Sequence, residues 1–179
     1  MATSGEASLT AVLAKGTDRE SRTRDQLAGL HNRYNLSRWQ WTDRIQIDEG
    51  EAIPHSHPLL TLNTHELADD HRLLSVYLHE QLHWYTLTKP YGQDIVQREM
   101  DARYPDLPTA LPMGCGSTWS NTIHLLICPL EFIAVAELIG EEEARRVVGQ
   151  SPVYTAIYNL ILRDEIAIRD LFTQHSYGP

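Results

Sequence analysis

The chain has 179 residues, a length that fits one domain, and its 42% apolar and 22% charged composition excludes collagen-like, low-complexity and wholly disordered classes. Acidic groups outnumber basic ones 24 to 15, for a net charge of −9, and no basic run exceeds Arg145-Arg146, so nucleic acid and anionic membrane are not expected partners. Histidine is the unusual residue: there are nine, and His55, His57, His65, His71, His79, His83 and His124 all fall between positions 55 and 124.

Residues 1–18 are small and polar and are expected to be frayed, leaving 19–179 as a single domain. The apolar run Leu9–Ala14 has no basic segment ahead of it. The longer apolar stretch Ile123–Ile139 is interrupted by His124, Pro129, Glu131 and Glu137. Neither export nor membrane spanning is expected from this, and the chain is expected to be cytoplasmic. Cys115 and Cys128 form no CxxC pair and are expected to be reduced thiols.

A short helix is expected over Asp18–Asn32. Trp39, Trp41, Asp43, Ile45 and Ile47 then alternate with other residues at the two-residue period of a half-buried strand, and Leu59–Asn63 reads as another. Between them lies Pro54-His55-Ser56-His57-Pro58, extended or looped because residues before proline avoid helix. Asp69 or Asp70 can cap a helix running to Thr88, with Leu74, Tyr77, Leu78, Leu82 and Tyr85 at helical spacing. A polar helix over Gln93–Tyr104 follows, and then a connection over 105–117 with three prolines and two glycines, which is a candidate lid. Ser117 or Ser120 can cap an apolar helix to Ile139 that Pro129 is expected to kink or divide. A short charged helix over Glu141–Val148 and an amphipathic one opened by Ser151-Pro152 complete the chain. Strands first and helices afterwards define an α+β class, a small N-terminal sheet followed by a helical region.

The chemistry concentrates in His79-Glu80-Gln81-Leu82-His83, an HExxH segment in the middle of the Asp70–Thr88 helix. Residues four apart project from one helical face, so both imidazoles can meet one cation, with Glu80 at the edge of that face. A shuffled chain of this composition would contain HExxH only about 3% of the time. On the apolar helix, Asn121, His124, Cys128 and Glu131 recur at intervals of three, four and three and form one polar stripe. Unpaired imidazole and carboxylate groups in such surroundings would cost several kcal/mol, so they need partners. Either Glu131 or His124 can complete a metal site with His79 and His83. Glu131 is the expected third ligand, with His124 then steadying the reacting group. In the alternative, His124 is the ligand and Glu131 orients an imidazole. His55 and His57 lie on one side of an extended segment and are expected to line the same cleft. Tyr154 and Tyr158 lie one turn apart, with core packing the commoner use of such a pair and hydrogen-bond donation to an oxyanion the other.

With its HExxH segment the chain resembles the zincins, the zinc metallopeptidases and their relatives. The resemblance implies Zn2+ as cofactor, His79 and His83 as ligands and Glu80 as general base. It also implies a sheet ahead of the motif helix, with a substrate held along a sheet edge, a part Leu59–Asn63 would play, and a second ligand-bearing helix packed on the first. The chain departs from the extended metzincin pattern, having Thr86 and Lys89 in place of glycine and histidine. It also has Ala102 and Arg103 where the thermolysin-like pattern wants glutamate. The expected function is metal-assisted hydrolysis of an amide or peptide bond, with a peptide or small molecule as substrate. A zinc-dependent isomerase, lyase or cyclase and a non-enzymatic module with a structural metal are the alternatives; oligomeric state is left open.

Overall fold

The structure, a computed structural model, describes residues 10–88 and 90–179. Its element order is β1 (Ala11–Leu13), α1 (Asp18–Arg33), a 3-10 turn (Ser37–Trp39), β2 (Ile45–Ile47), β3 (Leu60–Leu62), α2 (Asp70–Thr88), α3 (Pro90–Arg103), α4 (Thr118–Ile139), α5 (Glu141–Gly149) and α6 (Thr155–Gln174). The architecture is α+β: one three-stranded sheet in the order β1-β2-β3, and six helices among the described residues.

All pairing between these strands is parallel, with Ala11 opposite Ile45 and Ile45 opposite Leu60. Strand β1 lies in the segment expected to fray, of which residues 1–9 fall outside the described residues. Its order has a local cause. The carboxylate of Glu20, wholly buried on α1, accepts backbone N–H groups from Lys15 at 2.9 Å, Gly16 at 2.8 Å and Glu49 at 3.1 Å. One side chain thus ties the end of β1 to the turn after β2. The same residue closes a capping box with Thr17, which starts α1.

The strand expected from Trp39 onward is shorter than its alternation suggests. Its backbone at Trp41 and Thr42 pairs with a side chain: Gln81 Oε1 accepts both N–H groups at 2.8 and 3.0 Å, and Gln81 Nε2 donates to the Thr42 carbonyl at 2.8 Å. This docks the segment onto the motif helix, and only Ile45–Ile47 remains for the sheet. Asp69 starts α2, its Oδ1 accepting the N–H groups of His71 and Arg72, each at 3.0 Å.

Helix α4 is the axis of the helical region and packs against α2, α3, α5 and α6. Its composition would suit a membrane span by length and hydropathy, and most of that surface is covered by the neighbouring helices. Pro129 lies inside α4 without dividing it. The last helix begins at Thr155 instead of at Ser151-Pro152, because Tyr154 before it adopts a left-handed conformation at φ 57°, ψ 30°.

The 105–117 connection is a fixed wall. The carbonyls of Pro112 and Met113 accept the first N–H groups of α6, from Thr155 and Ala156, at 3.0 and 3.1 Å. On the other side Asn121 donates to the Pro108 carbonyl at 3.0 Å and accepts from Cys115 N at 2.8 Å. Gly114 is buried at the tightest point, where a Cβ would lie 1.9 Å from the Pro108 oxygen. A segment with these bonds is a poor candidate for a free-swinging lid.

Candidate metal centre

Helices α2 and α4 run antiparallel, so His79 lies across from Glu131 and His83 across from His124. The rings of His79, His83 and His124 form an equilateral triangle: all three centroid separations are 5.2 Å. Their ligand nitrogens lie within 4.8 Å of one another. A zinc–nitrogen bond of about 2.0–2.1 Å puts a ring centroid about 3.2 Å from the metal, and three such centroids at tetrahedral angles lie about 5.2 Å apart. The triangle therefore fits a tetrahedral ion with three imidazoles and one open position.

Two of the rings are held by their far nitrogens. His79 Nδ1 donates to Glu131 Oε2 at 2.8 Å, and His124 Nδ1 donates to the Ser120 carbonyl at 2.7 Å. Both then present Nε2 as a lone pair, the arrangement in which a ligand's other N–H is held by a carboxylate or carbonyl. Burial and the neighbouring His79 and His124 push His83 down to about 2, and burial with His79 pushes His124 down to about 4. Both are neutral at pH 7 and free to ligate. His79 moves the other way: burial opposes its protonation, but the hydrogen bond it donates to Glu131 and the negative charge of that carboxylate outweigh it.

Glu131 is 2% exposed, and its oxygens are engaged. Besides His79, it accepts from Tyr158 Oη at 2.6 Å and from Ser75 Oγ. Burial raises its proton affinity, but these three donors outweigh that and hold it below the usual carboxylate range. Glu131, Cys128 and His79 do form a second convergent group, and all three of its members are buried. Of the two arrangements open from the sequence, the geometry favours three histidines with Glu131 behind His79.

Glu80 contrasts with Glu131. It is 6% exposed and lines a cleft beside His79, and its carboxylate makes no hydrogen bond among the described residues. Burial, countered by His79 and reinforced by Glu131, pushes its carboxyl up to about 7. Tyr154 forms part of the opposite wall. Its ring lies 4.5 Å from that of His124 and 5.7 Å from that of His79, measured between centroids. A left-handed tyrosine persists only where its surroundings over-determine it.

His55 and His57 are not among the convergent ligands. His57 stacks on Trp84 with centroids 4.4 Å apart, and Trp84 Nε1 donates to the Ser56 carbonyl at 3.0 Å, which pins this loop beside the motif helix. His55 exchanges two backbone hydrogen bonds with Thr61, antiparallel to β3. The outer edge of β3 at Thr61, expected to receive substrate, is thus occupied by the chain itself. His65 bonds Asn63, His71 lies between Glu143 and Tyr34, and His175 bonds Glu99. Burial raises the Cys115 thiol to about 12, which removes it as a nucleophile. The partner that sequence reasoning missed is Ser75, one turn before His79. Its signal was a lone small polar residue among Leu73, Leu74, Val76 and Tyr77.

Comparison with protein-family models, with curated proteins and with solved structures finds no significant match. The class of the site therefore rests on its geometry alone.

Proposed function

We propose that the chain is a zinc-dependent hydrolase of zincin type, acting on an amide or peptide bond. His79, His83 and His124 are its metal ligands and Glu80 its general base. The observation that carries this is the unpartnered, buried Glu80 carboxylate beside a triangle of imidazoles with tetrahedral spacing. A zinc ion held there supplies a Lewis acid for the carbonyl and lowers the pKa of water to about 7.

The chain's residues supply the rest. Glu80 takes the proton of the attacking water and delivers it to the leaving nitrogen, a transfer for which a carboxyl raised toward neutrality is suited. Tyr154, with its hydroxyl free among the described residues, donates to the developing oxyanion, since His124 is committed as a ligand. Glu131, Ser75 and Tyr158 hold the His79 ring in one tautomer. Among the described residues no fourth histidine, cysteine or carboxylate converges with the three, which favours this reading over a structural metal closed by four protein ligands.

The test is hydrolysis of a mixed peptide library by the purified chain, abolished by a chelator and restored by zinc. Cleavage that survives complete metal removal would contradict the proposal. A chain that binds zinc without cleaving any amide would point instead to a non-hydrolytic zinc enzyme.

A further inference from the structure

A second face of the molecule lies between α4 and α6. A groove of about 490 Å³ runs from Arg38 and Trp39 along Leu130 and Phe172, and another of about 660 Å³ runs along Ala136 and Glu141. Ile133 and Arg169 line both, so the two form one continuous trough. No residue of this trough lines the cleft of Glu80 and His79. Helix α6 leaves helical geometry at Asp164, with φ −110° and ψ 22°, and the half after that bend supplies Glu165, Ile166 and Arg169 to one wall.

Ile166 is 78% exposed, the most exposed large apolar side chain among the described residues. Ile161, Ile168, Leu171 and Phe172 form the buried stripe of α6 without it, so packing within the chain does not account for an apolar residue there. A scattered aliphatic group on a surface needs no explanation. This one lines a trough whose other wall is apolar at Ile133 and small at Ala136. The charges around it balance. Arg38, Arg145 and Arg169 stand against Glu137, Glu141 and Glu165, and within the chain Arg38 pairs with Glu137 at 2.7 Å, Arg145 with Glu141 at 3.0 Å and Arg169 with Glu165 at 2.8 Å. The chain as a whole carries −9.

We propose that this face joins two copies of the chain in a two-fold symmetric dimer, with Ile166 of each copy seated in the trough of the other against Ile133 and Ala136. The occupant is a second copy because one face carries both the projecting group and the recess, which is what a self-complementary interface requires. Charge points the same way. Two copies at −9 repel wherever acidic groups dominate, whereas a face with three groups of each sign brings no excess charge together and lets each arginine approach a glutamate of the other copy. Because trough and cleft share no lining residue, the cleft stays open in the dimer.

The experiment is analytical ultracentrifugation of the purified full chain from about 1 to 100 μM. The mass should rise from that of one 20.4 kDa chain toward twice that value. Ile166→Glu, at a position exposed enough for the fold to tolerate it, should raise the dissociation constant about 30-fold or more. Arg38→Glu, which unbalances the face, should raise it about 10-fold. Trp119→Ser removes a comparably exposed apolar group, at 74%, from outside the trough and should leave the dimer unchanged. Circular dichroism on each variant shows that it is folded. A wild-type chain that keeps the mass of one chain over the whole range overturns the proposal. So does a dimer that Ile166→Glu leaves intact, or that Trp119→Ser weakens as much as Ile166→Glu does.

Discussion

Two buried glutamates stand in opposite surroundings. At the sheet end, Glu20 accepts three backbone N–H groups at 2.8–3.1 Å, and those donors overcome the burial that would raise its proton affinity. In the cleft that α2 forms with the 53–54 loop and the 151–158 segment, Glu80 is nearly as deeply buried and its carboxylate has no donor among the described residues, so burial lifts it to about 7. The same side chain is a structural tie in one place and a candidate base in the other. What separates them is the supply of hydrogen-bond donors: a buried carboxylate without donors is costly to keep ionised, and groups perturbed in this way cluster at functional sites. Glu131, with three donors, belongs with Glu20 although it lies close to Glu80.

The comparison breaks most sharply at Glu80. Glu80→Gln should lower turnover by about 10²–10⁴-fold while zinc content stays at the wild-type level. Activity measured beside metal analysis checks this, and near-normal turnover would move Glu80 into the structural class. A smaller effect is expected at Glu131. Glu131→Gln should weaken zinc binding by about 10–100-fold by releasing the His79 ring, as read in a competition titration against a chelator. Neither substitution should alter the sheet.

Glu20→Gln should do the reverse, lowering stability by about 1–3 kcal/mol in a denaturant titration with zinc affinity unchanged. Its pH dependence has a definite sign. The folded-state pKa of Glu20 lies below the ordinary value of 4.5, so its contribution is full above 4.5 and is lost as pH falls through the folded value. Wild type and Glu20→Gln should therefore converge in stability toward low pH. The smallest effect belongs to the wall. Asn121→Ala removes side-chain bonds to Pro108 and Cys115 and should cost about 1 kcal/mol, with amide exchange quickened over 105–117.

Much of this was legible in the sequence because it rests on local periodicity. HExxH at helical spacing placed His79, Glu80 and His83 on α2, and the polar stripe on the apolar helix picked out His124 and Glu131. Asp69 was readable as a cap. The roles within the stripe were not readable, because spacing alone cannot say which of two groups two turns apart faces a third helix. Tyr158 arrives from α6 and Ser75 from the preceding turn of α2, and together they claim Glu131. Strand β1 was missed because its order comes from Glu20, a residue that reads as an ordinary member of a charged helix. The strand expected at Trp41 was lost to Gln81, a side chain imitating a neighbouring strand. Each miss comes from a long-range polar contact, which leaves no periodic trace.

The central claim is that three histidines, and not Glu131, hold the metal. A zinc competition titration of the wild-type chain beside His79→Ala, His83→Ala, His124→Ala and Glu131→Gln tests it most directly. The account predicts one zinc per chain in wild type, loss of the site in each histidine variant, and a weakened but stoichiometric site in Glu131→Gln. Wild-type affinity in His124→Ala together with loss of zinc in Glu131→Gln would contradict it.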